Sequence, residues 1–286
     1  MKKLTTFFVS MMLGISLTAC SMVVDGVNNQ KINASKNYVT KEFKVKEFNN
    51  INLIGSGNVY FTQQPGAPAV SVVTSDNVAE ILDVYVENNT LCLRIKKGYS
   101  VRFLEKLDYT VNAAALNAMN ITGSGDFKLM NGLTTDNLKL SITGSGDLDC
   151  NNVNCAGDME VSISGSGDIN GDNLQSNDMS ISIAGSGDIG LGNISANNVK
   201  ANISGSGDIR LKGKTFKAKY FIAGSGNIAA SDLLAEDVIA NTSGSGDITC
   251  YASKSIEASR AGSGSIGYKG NPQKVNIGKK GVYAIE

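Results

Sequence analysis

Carboxylates recur at a near-constant interval in this chain. Asp126, Asp147, Asp168, Asp188 and Asp208 each close a Gly-Ser-Gly-Asp tetrapeptide. The copies are Gly123-Ser124-Gly125-Asp126, Gly144-Ser145-Gly146-Asp147, Gly165-Ser166-Gly167-Asp168, Gly185-Ser186-Gly187-Asp188 and Gly205-Ser206-Gly207-Asp208. A further copy begins at Gly244, and near copies begin at Gly55, Gly224 and Gly262. A column of acids is cation-binding chemistry, and a serine in every copy is nucleophile chemistry. Calcium β-rolls, however, use Gly-Gly-x-Gly-x-Asp at about nine residues, half this interval and with a different glycine pattern. Exposed carboxylates on strands about 4.8 Å apart repel by only ~1 kcal/mol in water. The column is therefore expected to stand without metal, each Asp bonding backbone N–H groups of its own turn. The sequence holds no histidine. That removes Ser-His-Asp and Cys-His mechanisms, and no Gly-x-Ser-x-Gly elbow surrounds any serine. The serines read as a hydroxyl ladder, with no catalytic residue among them.

The remaining candidates are cysteines and lysines. Cys92, Cys150, Cys155 and Cys250 form no Cys-x-x-Cys pair, which argues against zinc. Cys150 and Cys250 lie six residues after their glycines, an inward position; a Cys150–Cys155 bridge within one repeat stays open. Gly207 to Gly213-Lys214-Thr215 resembles a phosphate loop, but its glycines are six apart where five are required. Charge is uneven at zero net charge. Residues 123–190 are acid-rich, whereas residues 191–220 carry Lys200, Arg210, Lys212, Lys214, Lys217 and Lys219 against Asp208 alone. The run Lys212, Lys214, Lys217 and Lys219 is the candidate ligand-binding surface, suited to an anionic glycan or headgroup. Zero net charge argues against nucleic acid. No cofactor is implied.

These residues are positioned by a repeat of about twenty residues, the period of a solenoid. Two before each glycine pair stand Ile121, Ile142, Ile163, Ile183, Ile203 and Ile222; four after stand Phe127, Leu148, Ile169, Ile189, Ile209, Ile228, Ile248 and Ile266. Small polar residues fill the places between, so alternation of period two flanks each glycine corner. The expectation is an all-β fold: a right-handed parallel β-helix whose rungs have a strand, a corner, a second strand and a looser return. Thr242 and Arg260 break the isoleucine column near the end, where Arg260 suits a capping role and residues 268–277 complete the cover.

Four regions follow. Residues 1–19 read as a signal peptide with a short apolar core ending Leu17-Thr18-Ala19-Cys20. That tetrapeptide resembles a lipobox, which implies lipidation of Cys20, and Ser21 resembles an outer-membrane address. Residues 20–40 read as a lipidated tether. Residues 41–115 read as an N-terminal β section, with a separated repeat at 48–61, a strand at Val70–Val73, a short helix capped by Ser75 and running through Leu82, and a hairpin around Glu87-Asn88-Asn89-Thr90. Residues 116–286 carry the repeats and the C-terminal cap.

The glycine ladder, together with Gly267-Tyr268-Lys269-Gly270-Asn271-Pro272 near the end, resembles the DUF2807 family, the head GIN domain of auto-transporter adhesins. The resemblance covers residues 43–286. It implies a β-solenoid with an N-terminal β section and brings no defined ligand or catalytic residues. The expectation is a binding, scaffolding or adhesion module of the cell envelope, not an enzyme, joined to the membrane by its anchor, facing the periplasm and contacting an envelope glycan or protein. The alternative is a polysaccharide-active β-helix enzyme, which needs acids gathered in one groove.

Overall fold

A computed structural model describes residues 29–278 and 280–285. The signal peptide, Cys20 and the first part of the tether lie outside the described residues. The structure is all-β, a parallel β-solenoid of about eight turns with rungs about 20 residues apart.

Each corner glycine stacks on the one below: Gly123 on Gly55, Gly144 on Gly123, Gly165 on Gly144 and so on to Gly262. Gly165 has φ +140°, a conformation that a side chain resists. At Gly167 a Cβ would lie 2.0 Å from the Gly146 carbonyl oxygen. The two glycines thus answer to two different demands, chirality and space. From this register the apolar columns follow. Ile121, Ile142, Ile163, Ile183, Ile203 and Ile222 stack in order, all buried. Burying one such side chain stabilises by roughly 1.5–3 kcal/mol. Tyr220 is accommodated because its neighbours in register are Ala201 and Ala240.

The looser return is instead a third paired run. Leu133, Val153, Leu174 and Ile194 stack in register and are buried. A second corner precedes it, where Asn152, Asn173 and Asn193 adopt positive φ. Their amides form a ladder, Asn173 Nδ2 donating to Asn152 Oδ1 at 3.0 Å and Asn193 Nδ2 to Asn173 Oδ1 at 3.2 Å. Asparagine tolerates this conformation, which explains its place there. A third corner, at Asn137, Asp158, Asp178 and Asn198, leads back to the first run.

The 67 residues between Gly55 and Gly123 loop out and return. Asn50–Gly55 stacks directly on Ala118–Gly123, so the separated repeat is the first rung of the same solenoid. On its other side lies Thr90–Ile95, half of the expected hairpin, with Asn88 and Asn89 at positive φ in its turn. Tyr38–Phe43, Ala69–Ser75 and Leu107–Ala113 form an antiparallel set beside them. Two local expectations change. Residues 30–33, expected in the tether, pair with Tyr99–Arg102. The helix spans only Asp76–Ala79, because Leu82 already begins a strand; Ser75 does not cap it, since its hydroxyl donates to the Ser35 carbonyl at 2.6 Å.

At the other end, the Thr242 hydroxyl donates to the Gly246 carbonyl at 2.9 Å. Arg260 donates to the carbonyls of Gly264 at 2.9 Å and Lys280 at 3.2 Å, the capping role its position suggests. Lys274–Ile277 and Val282–Ala284 continue the stacking by a further partial rung.

Candidate functional site

The acid column is a hydrogen-bond ladder between rungs. Asp126 Oδ1 accepts the main-chain N–H of Asp147 at 3.0 Å, and Asp147, Asp168 and Asp188 do the same for the next Asp above at 3.1, 2.9 and 2.8 Å. Asp208 then receives Asn227 N–H, and Asn227 Oδ1 receives Asp247 N–H. The bond runs to the neighbouring rung, where the sequence suggested the residue's own turn. The cause is local. The Gly144 carbonyl already takes two N–H groups, from Ser166 at 2.8 Å and Gly167 at 3.2 Å, and the following N–H turns to the carboxylate below. Such bonds to an ionised acceptor are stronger than neutral ones. Among the described residues no group of three or more metal-ligating side chains gathers.

The corner serines do not form a hydroxyl ladder. Their side chains face solvent, and their main-chain N–H groups make the contacts, as in Ser145 to the Gly123 carbonyl at 2.8 Å. The thiols are equally quiet. Cys150 and Cys250 are buried and their pKa values are pushed up to about 12, by desolvation above all. Burial also raises that of Cys155. Cys150 and Cys155 are free, unbridged cysteines. The segment after Gly207 has no phosphate-loop form, because Ile209–Gly224 is β-strand.

The four lysines of the basic run do not share one surface. One rung wraps the whole solenoid, so residues close in sequence pass round its corners. Gly213, at φ +130°, separates Lys212 from Lys214, and the corner at Phe216 separates Lys214 from Lys217. Lys212 lies 3.9 Å from Asp232. Lys214 faces a different groove. Only Lys217 and Lys219 stay together, and Lys200 joins them, stacked in register on Lys219. The signal for Lys200 was present: it stands five before Gly205, as Lys219 stands five before Gly224.

These three lysines line a groove along the third corner. A hollow of about 740 Å³ extends from Asn117 to Lys219, and a second of about 630 Å³ extends from Lys217 to Lys274 and Asn276. Lys217 and Lys219 belong to both. Acids occupy the lower rungs but are already engaged. Glu160 pairs with Lys139 at 2.9 Å, Asp158 accepts Asp178 N–H and the Asn177 amide at 3.2 Å each, and Asp178 accepts the Asn198 amide at 2.6 Å. Lys200, Lys217 and Lys219 have no carboxylate within 4.0 Å among the described residues. Lys200 and Lys219 thus stand on successive rungs, while on the rungs above Asp237, the in-register neighbour of Lys217, accepts the Ser255 hydroxyl and Glu257 lines the second hollow. The arrangement can hold an anion that spans rungs.

The chain matches the family described as "Putative auto-transporter adhesin, head GIN domain" (DUF2807) over residues 47–171 and 159–272. A crystal structure of a "putative adhesin" from Bacteroides fragilis is 33% identical, with 89% of this chain and 98% of that one covered and a TM-score of 0.50. A "Putative lipid binding protein" from Parabacteroides distasonis is 28% identical over 90% of this chain and all of that one, with a TM-score of 0.67. A "putative adhesin" from Parabacteroides merdae, 20% identical with a TM-score of 0.67, shares the fold over 90% of this chain and 99% of that one. No protein of curated function matches the chain.

Proposed function

The chain belongs to the DUF2807 family, whose description is that of an auto-transporter adhesin head domain, and from that premise we propose that it is a non-catalytic binding module of the cell envelope. Relatives described as an adhesin and a lipid-binding protein support a binding or adhesion role and a place at the cell surface or envelope. The ligand proposed is an extended anionic polymer, an envelope glycan, lying in the groove at the third corner. One observation carries this reading: Lys200 and Lys219 stack in register beside Lys217, and among the described residues none of the three has a carboxylate within 4.0 Å. A polymer with repeated negative charge, running along the axis, meets the ammonium groups of two successive rungs, Lys200 and then Lys219 with Lys217, about 4.8 Å apart. The engaged state of Asp158, Glu160 and Asp178 weighs against the polysaccharide-cleaving alternative, which needs free acids across a sugar. Attachment through a lipidated Cys20, with the domain facing the periplasm, completes the proposal.

Polygalacturonate and hyaluronate are suitable probes. Binding should weaken with salt, because exposed charges are screened beyond roughly 8 Å at physiological ionic strength. It should be lost when Lys200, Lys217 and Lys219 are replaced by glutamine. Shortening of either polymer would establish the enzyme reading instead. Detergent phase partition tests the anchor: wild type should enter the detergent phase and Cys20→Ser should not.

A further inference from the structure

A second groove lies on the other side of the third corner, and its lining has a different chemistry. One wall is a single in-register column: Asn154, Gln175, Ser195, Lys214, Leu234 and Tyr251. The facing wall holds Asn177, Asn197, Phe216 and Glu236, and the floor is a buried column of small residues that includes Ala196, Thr215 and Ala235. The hollow is about 800 Å³. Three features stand out. Phe216 is 57% exposed and Leu234 53%, on a surface otherwise built of small polar groups. Among the described residues, the side chains of Asn154, Gln175 and Ser195, on three successive rungs, have no hydrogen-bond partner. The single carboxylate, Glu236, is already paired with Lys254.

We propose that this groove binds a neutral glycan chain extended along the solenoid axis. The lining selects the class of ligand. Each rung's main chain is paired with the rungs above and below, so no backbone edge is offered to a peptide strand. Recognition must come from side chains. Free amides and a hydroxyl suit sugar hydroxyls, which donate and accept together. Exposed rings suit the apolar faces of pyranose rings, the usual division of labour in a ligand groove with few polar groups fixing orientation. An acyl chain would have to lie against two amides and a hydroxyl on three successive rungs, which disfavours a lipid. The chain runs across rungs, so successive sugars meet the amide half around Gln175 and the aromatic half around Phe216.

Affinity electrophoresis of the full chain in gels cast with xyloglucan, galactomannan or mixed-linkage β-glucan tests this. At least one polymer should retard the protein, and raised salt should not abolish the effect. Phe216→Ala should weaken retardation about tenfold, the loss of one ring contact. Gln175→Ala should weaken it about threefold, the loss of one hydrogen bond. Both positions are exposed, and circular dichroism should show both variants folded. The glutamine triple variant at 200, 217 and 219 should bind as wild type does. Failure of all three polymers to retard the protein would overturn the proposal. So would retardation that survives Phe216→Ala, or retardation lost only in the lysine variant. Phe216-dependent binding to phosphatidylcholine vesicles without any glycan retardation would assign the groove to lipid and overturn it too.

Discussion

The first and third corners of the solenoid are built on opposite terms. At the first, main chains approach so closely that a Cβ on Gly146 would lie 1.9 Å from the Gly125 carbonyl oxygen. At the third, side chains add their own bonds to the main-chain contacts, and Asn137, Asp158, Asp178, Asn198 and Lys217 succeed one another rung by rung. Close backbone contact dictates residue type and leaves no freedom for recognition. The third corner tolerates variety, and both grooves flank it. Repetition in this chain marks what holds the fold, and departure from repetition marks where ligands are expected.

The largest effect should come from breaking the first corner. Gly167→Ala should destabilise by at least about 3 kcal/mol, since the added methyl meets backbone that cannot move aside. Gly190→Ala, on a flat run where the nearest atom is the Asn170 Oδ1 at 3.1 Å, should change stability by less than about 1 kcal/mol. Thermal unfolding of the pair measures the contrast. Equal losses would show that stacking does not depend on that approach.

The interior should respond nearly as strongly. Ile183 is 2% exposed, and Ile183→Asp buries an unpaired charge. Ser182 points outward and is half-covered, so Ser182→Asp should be close to neutral. Chemical denaturation distinguishes them, and reversed sensitivities would put the register off by one residue.

Alkali should weaken the interior without touching the ladders. Cys150 and Cys250 have folded pKa values raised to about 12 from an ordinary 9.0, by burial first. With the folded value raised, the stabilisation is complete below pH 9 and is lost as pH rises from 9 toward 12, where the unfolded state alone gives up its protons. Denaturation midpoints should fall over that window, and replacing both cysteines by alanine should flatten the slope. An unchanged slope would mean that the thiols do not carry it.

The acid ladder should give the smallest effect. Asp168→Asn keeps the acceptor, as Asn227 does naturally, and should shift stability by less than about 0.5 kcal/mol. Asp168→Ala removes the partner of Asp188 N–H and should cost about 1 kcal/mol. Calcium should leave the melting temperature of wild type where it is; a rise would reveal a bound cation.

The parts legible in the sequence are those in which one position has one reason. The corner glycines, the Ile121–Ile222 column and the Asn88-Asn89 hairpin all declared themselves through spacing. The third run did not, because Asn151 and Asn152 are both exposed and interrupt the alternation that would mark a strand. The basic run divides between surfaces for a related reason. Nearness in sequence carries Lys212 to Lys219 around two corners, whereas the same offset from the glycine carries Lys200 onto Lys219. Offset within the repeat, not distance along the chain, decides which side chains meet. The facing walls of the second groove are hidden in the same way, since Gln175 and Phe216 sit on different rungs.

The most direct test of the account compares two lysine variants of the full chain for binding to polygalacturonate at low and raised salt. One carries glutamine at Lys200, Lys217 and Lys219, the other at Lys212 and Lys214. The account predicts salt-sensitive binding by wild type, its loss in the first variant and its retention in the second. Retention in the first variant with loss in the second would contradict the groove at the third corner, and binding by neither wild type nor variants would contradict the anionic ligand itself.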